Sequence, residues 1–269
     1  MMSEMLVERL TWPEFAEQIG RRMVLIPVGS VEQHGPHLPL GTDVFIVWHL
    51  AERLARRLPA LIAPPIWYAA PSDPASGGGQ RFPGTMSLRG STLLRLVGDV
   101  LREYFRHGAR HLVLLNGHFE NTAFLAEAAR EVLPPEDTSG RRIVLVNWWE
   151  HVPEAVLRDL FPEGFPGWEV EHASLTESSL MLALAPALVH AERIPQQPGE
   201  RRVPPRHKVF PEPAGQVPPS GILYTAAGAS PERGEALVAV LVETLAALLA
   251  QEFPQVGQEA GAAEQVGSG

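Results

Sequence analysis

The stretch EQHGPHLPLGTD, residues 32–43, brings Glu32, His34, His37 and Asp43 close together in sequence. Imidazole nitrogens and carboxylate oxygens together suit zinc or manganese, whereas calcium takes oxygen ligands alone. A second stretch, NGHFEN at 116–121, adds His118 and Glu120. Without cysteine, His34, His118, Glu32, Asp43 and Glu120 are too many ligands for one closed structural zinc site. They suit two ions that share a bridging carboxylate, lie roughly 3.5–4 Å apart and hold a hydroxide between them. Gly35 and Pro36 beside His34 restrict the path of the loop. Alone, a Glu-x-His pair is common, and NGHFEN could simply open a helix with Asn116 or Glu120 capping it. The metal reading rests on the two stretches in combination. His37, between Pro36 and Leu38, suits packing or a hydrogen bond within the loop.

Two further segments carry chemical residues. GWEVEHASLTESSLMLAL, 167–184, places Trp168, Glu171, His172 and Glu177 ahead of or inside a helix. A histidine beside a carboxylate can move protons near neutral pH; the plainer alternative is a capping segment with Trp168 in the core. SGGGQRFPGTMSL, 76–88, offers Ser76, Gly77 and Gly78, whose backbone can approach a ligand closely. The Lys-Ser/Thr pair of a Walker loop is absent, and a flexible surface loop is the alternative. Trp148 and Trp149 are adjacent, and neighbours on a strand face opposite sides, so both cannot easily point inward from one.

The elements needed to position these groups are legible as hydrophobic patterns. Apolar runs at 23–29, 60–65, 111–117 and 142–148 read as buried strands. Helical spacing covers 44–58, 91–108, 121–133, 175–189 (mainly as far as Pro186) and 236–250. Strands alternating with helices predict an α/β fold, a mostly parallel sheet covered on both faces. Glu32, His34 and Asp43 then follow the first strand, His118 and Glu120 follow the 111–117 strand, and Trp148 and Trp149 follow the 142–148 strand. All lie past carboxyl ends, where open parallel sheets bind ligands.

A chain of 269 residues fits one domain, read here as 1–253, with a long loop over 194–220 and a disordered tail at 254–269. The formal net charge is −9 and the arginines are scattered, without the basic stripe that nucleic acid requires. No leader is visible at the start, and the apolar 236–250 stretch is broken by Glu243, so neither export nor a membrane span is expected. The absence of cysteine excludes disulfides and thiol chemistry and fits the cytoplasm.

Taken together, GSVEQHGPHLPLGTD, FPGTMSL, NGHFEN and FPEGFPGWEVEHASLTESSLMLAL resemble the creatininase family, over about residues 23–245. The resemblance is to the members that hydrolyse creatinine, because many other relatives carry Gly-Gly where this chain has Phe119-Glu120. It implies a three-layer α/β/α sandwich and a metal-dependent cyclic amidohydrolase that converts creatinine reversibly to creatine, with a hydroxide bridging two divalent ions, zinc or manganese, in each subunit. Glu32 and His118 would ligate one ion, His34 and Glu120 the other, and Asp43 both. Ser76, Gly77 and Gly78 would line the substrate pocket with Phe119. Trp149 would belong to a mobile flap, and Trp168 would stack on the flat substrate. His172 would be the acid/base, assisted by Glu171, with Glu177 a supporting carboxylate and Glu120 also close to the chemistry. The implied assembly is a homohexamer. The chain departs from the pattern at Phe119, where a tyrosine is expected, at Trp148 and Glu150, and at Gln80-Arg81. These departures bear on substrate more than on reaction class, so another small-amide hydrolase of the family, such as a deformylase, is the alternative.

Overall fold

The computed structural model describes residues 5–196, 203, 207–213 and 215–254. In chain order its elements are α1 (Trp12–Gln18), β1 (Met23–Val28), α2 (Thr42–Ala55), β2 (Ala60–Ile62), α3 (Gly90–Arg106), β3 (His111–Asn116), α4 (Thr122–Val132), β4 (Arg142–Asn147), α5 (Glu154–Leu160), α6 (Leu175–Leu184) and α7 (Pro231–Glu252). The four strands form one parallel sheet in the order β2-β1-β3-β4.

The sheet is covered on both faces, as the uninterrupted burial of β1 requires. Alternate residues separate cleanly. Met23, Leu25, Val113 and Leu115 join a core with α2, α6 and α7, including Leu50, Met181 and Leu241. Val24, Ile26, Leu112 and Leu114 join a second core with α3 and α4, including Val97, Leu101 and Leu125. The period of two in the strands therefore builds the two interfaces of a three-layer α/β/α sandwich.

The chain leaves β1 for the outer strand β2 and returns to β3 on the other side of β1. The strand order thus reverses between β1 and β3, the position at which open parallel sheets bind ligands. The register sets Val28 opposite Asn116 and Asn116 opposite Asn147. The loops after β1, β3 and β4 consequently start at one level.

Several boundaries differ from the sequence expectation. The helix expected from 44 starts at Thr42, so Asp43 lies in the first turn of α2 rather than in a loop. The strand expected over 60–65 spans Ala60–Ile62. α6 ends at Leu184, and Pro186–Leu188 form a separate 3-10 turn. α7 begins at Pro231 because Ser230 caps it, accepting the Arg233 N–H at 3.3 Å, and proline suits the first helical position. α7 is long and apolar enough to cross a membrane by length and composition, but Leu237, Leu241, Leu245 and Leu249 are buried in the core shared with α2 and α6. The described residues of 194–220 form neither helix nor strand beyond residue 193. Residues 255–269 of the expected disordered tail lie outside the described residues.

Candidate metal centre

Two loops and one helix start bring the charged cluster together. Glu32 and His34 leave the end of β1, His118 leaves β3 and Asp43 opens α2. The helix can sit this close because Gly117 has no side chain; a Cβ there would lie 2.5 Å from the Asp43 carbonyl oxygen. Glu32, His34, Asp43 and His118 are each no more than 2 % exposed.

Asp43 is central. Its Oδ1 lies 3.0 Å from His34 Nε2 and its Oδ2 lies 3.2 Å from His118 Nδ1. Glu32 Oε1 is 3.0 Å from the same His118 nitrogen. Ligand atoms of Glu32, Asp43 and His118, and of His34, Asp43 and Glu177, fall within 4.8 Å of one another in each group. These groups share Asp43, the position of a carboxylate able to bridge two ions, and a third group joins Glu32 and His34 to His172.

The residues fit divalent cations on a test internal to the structure. Glu32 Oε2, His34 Nε2, Asp43 Oδ2 and Glu120 Oε2 are buried without a hydrogen-bond partner. Unpaired buried polar atoms are costly, and four converging ones need an explanation. Both imidazoles have a backbone carbonyl beside their second ring nitrogen. His34 Nδ1 is 3.2 Å from the Glu32 carbonyl and His118 Nε2 is 3.2 Å from the Ala70 carbonyl. Each carbonyl can take an N–H and leave the other nitrogen's lone pair facing the carboxylates.

The titration pattern agrees. Burial disfavours charge throughout, yet Asp43 and Glu177 push His34 up to about 10. His118 is likewise raised, by Glu32 and Glu120 against the effect of burial. Burial opposes but does not prevent a lowering of Glu32 by His118, His172 and His34. With protein groups alone, the cluster balances its carboxylates by holding protons on imidazoles that a cation would replace.

The sequence pairing of His34 with Glu120 has a different neighbour in the structure. Glu177 Oε2 is 3.7 Å from His34 Nε2, whereas Glu120 Oε2 is 3.2 Å from His118 Nε2. Glu120 Oε1 accepts from Ser76 Oγ at 2.7 Å and from Asp73 N–H at 3.1 Å, and burial raises its pKa. Glu177 Oε2 accepts the Ala173 N–H at 2.6 Å, and burial pushes Glu177 up to about 7.

Above the cluster lies a cleft of about 390 Å³, measured to its open mouth and lined by Ser76, Phe119, Trp149, Trp168, Glu171, His172 and Glu177 among others. Gly77 backs onto the carboxylates, since a Cβ there would lie 3.3 Å from Glu32 Oε2. Gly78 packs against Gln33 instead. His172 directs Nδ1 towards Glu32 Oε1 at 3.7 Å, and its ring lies 4.4 Å from that of His34. Burial, then the charge of His34, push His172 down to about 4. The turn after it is strained: Ala173 has φ of 53°, uncommon for a residue with a Cβ. The Glu171 carboxylate does not turn to His172 but accepts from Thr176 N–H at 3.1 Å, and burial raises its pKa well above the usual range.

Trp148 and Trp149 are both buried, against the strand-based expectation. They occupy a 3-10 turn, Trp148–His151, after β4, where strand alternation no longer applies. Trp149 stacks on Phe119 at 5.7 Å and 27°, while Trp148 meets Trp168 edge-on at 6.0 Å. Trp148, which the sequence places at the same sheet edge without a role, belongs to the aromatic wall. Asn116 does not cap α4. It accepts from His118 N–H at 3.1 Å and donates to the His118 carbonyl at 2.9 Å, fixing the turn that carries the histidine. His37 fits its packing role, buried with Nε2 2.7 Å from Ser178 Oγ.

Comparison with known proteins agrees with this architecture. The family model Creatininase, described as creatinine amidohydrolase, matches residues 8–249. The chain is 40% identical over 260 residues to the creatinine amidohydrolase of Pseudomonas putida, covering 94% of this chain and 99% of that one. A solved manganese form of creatininase superposes with a TM-score of 0.87 at 40% identity, over 93% of this chain and 99% of that one. A Zn–Zn form of a creatininase mutant gives the same TM-score and identity over 93% and 98%. With the family model matched over residues 8–249 and a 40% identical relative covered almost end to end, this chain belongs to the creatininase family.

Proposed function

We propose that this protein is a metal-dependent cyclic amidohydrolase that interconverts creatinine and creatine. The observation that carries the reading is the buried set Glu32, His34, Asp43, His118 and Glu120, with unpaired oxygens and a free imidazole nitrogen facing one another below an aromatic cleft. Near full-length similarity to creatinine amidohydrolase supports the substrate.

Glu32, Asp43 and His118 would hold one ion. His34, Asp43 and Glu120 would hold the second, in zinc or manganese form. The unpaired Oε2 of Glu120 supports that assignment over Glu177, whose nearer oxygen already takes a backbone N–H. Bound there, such ions would make a hydroxide available at neutral pH and polarise a carbonyl oxygen.

The chain's own residues do the rest. A flat ring entering the cleft meets Trp149, Trp168 and Phe119, which exclude water from its faces. Ser76 lines the pocket on the other side, with Gly77 behind it against the carboxylates, while Gly78 lies against Gln33. His172 presents Nδ1 at the cleft floor, where it can take up the proton released by the attacking water and pass it to the departing ring nitrogen, a contribution of about 10²–10⁴-fold. Glu171 and Glu177, both raised by burial, border that histidine and limit the charge around it. A second reading, hydrolysis of another small amide, draws support from Phe119, which is 37% exposed and offers no hydroxyl at the mouth of the cleft.

The family resemblance further supports a homohexamer, a cytoplasmic setting and a small-molecule partner. The single sheet, with helices from both ends of the chain on its faces, supports residues 1–253 as one domain. The test is creatine formation from creatinine by the purified protein, with manganese or zinc supplied and a chelated control. Metal-dependent turnover is the expected result. No turnover with two ions bound would move the substrate to another amide, and no bound metal would end the reading.

A further inference from the structure

Gln33 separates two residues of the cluster in sequence, yet its side chain turns away from the carboxylates and into the protein. Three loops close on its amide. Oε1 accepts the Gly35 N–H at 2.9 Å, and Nε2 donates to the Gly221 carbonyl at 2.9 Å. Gly78 and Gly221 lie flat against it, and a Cβ on either would strike the amide. The donor at Gly35 and the acceptor at Gly221 together fix which way the amide faces.

The remaining neighbour is His172. Its Nε2 lies 2.8 Å from the Gln33 carbonyl oxygen and 3.0 Å from the Gln33 side-chain nitrogen. One residue therefore presents both an acceptor and a donor to the same ring nitrogen. The other ring nitrogen, Nδ1, faces Glu32 across the cleft floor.

We propose that Gln33 is the positioning residue of His172, gripping the ring at Nε2 so that Nδ1 is presented to the substrate. A neutral imidazole carries its hydrogen on one nitrogen or the other. With an acceptor and a donor both at Nε2, the ring keeps a partner in either form and need not rotate. Because Gln33 is bonded in the chain to Glu32 and His34, it also ties the ring's placement to the cluster. The inference rests on the proposed role of His172 in hydrolysis, but its geometry is independent of the substrate.

The test uses the zinc-loaded full chain and the ¹⁵N resonances of the His172 ring, identified by their disappearance in His172→Ala. Gln33→Met keeps the length of the side chain and removes both polar groups. The expected result is displaced His172 resonances, unchanged zinc content and kcat lower by about 10–100-fold. KM should stay within about twofold, as for a group that acts on the chemical step. Gly78→Ala, which crowds the amide without altering residue 33, should displace the same resonances and keeps the test open if Gln33→Met fails to fold. Unmoved resonances in both variants would overturn the proposal. Loss of zinc accompanying the displacement would also overturn it, making Gln33 a support of the ligand loop alone. If the unmodified protein ignores creatinine while Gln33→Met still displaces the resonances at constant zinc, the substrate assignment fails and the positioning role stands.

Discussion

Asp43 Oδ1 lies 3.0 Å from His34 Nε2, joining the first turn of α2 to the loop that follows β1. The second oxygen of the same carboxylate faces His118 from β3. Asp43→Ala therefore removes the side chain that joins the Glu32–His118 group to the His34–Glu177 group. The expected outcome is loss of bound metal and a fall in activity beyond the roughly 10–100-fold typical of outer partners. Metal content of the purified variant measures this; a full complement of ions would refute a bridging role.

Glu120 and Glu177 are the two candidate carboxylates for the proposed second ion, and single alanine variants separate them. Glu120→Ala should reduce the metal stoichiometry, because its Oε2 is buried without a partner. Glu177→Ala should retain both ions and instead release the Ala173 N–H beside His172. The opposite pattern by elemental analysis would give the ligand position to Glu177.

His172→Ala should keep its metal and lose about 10²–10⁴-fold in kcat, the usual range for a general acid or base. Steady-state turnover alongside metal analysis decides this. Undiminished turnover would remove His172 from proton transfer.

Acid stability tests His37. Burial, then the neighbouring His34 charge, push its pKa down from 6.5 to about 4. Between these values the unfolded chain takes up a proton that the folded protein refuses. Stability should thus decline as pH falls from 6.5, by up to about 1.4 kcal/mol per unit, and level off below about 4. His37→Gln retains a polar group for Ser178 but does not titrate, so its stability should fall less over that window. Denaturant unfolding of the two proteins across pH 4–7 makes the comparison, and parallel curves would contradict it.

The sequence carried the sheet and most of the cluster because both depend on short-range pattern. Runs such as those at 23–28 and 111–116 can be read as buried strands, and His34 and His118 lie in the loops that follow them. What depended on distant partners was not legible. Gln33 meets His172 and Gly221 across separations of 139 and 188 residues, and no local signal marks either contact. The burial of both Trp148 and Trp149 follows from a turn that the alternation rule for strands could not anticipate. The first turn of α7 was missed because Glu232 and Arg233 interrupt its apolar pattern, although Ser230-Pro231 is a fair start signal.

The strand order also bears on how the protein assembles. β1 pairs with β3, Val24 against Leu112, and that pairing is what brings the Glu32–His34 loop to His118. Closing so long a loop is an entropic cost met by the apolar contacts of the sheet rather than by local structure. In the unfolded chain Glu32 and His34 are far from His118, so an ion there would find only part of its ligand set. Metal should therefore enter after the sheet has closed, and refolding in the presence of a chelator should return a folded chain that is competent for later loading.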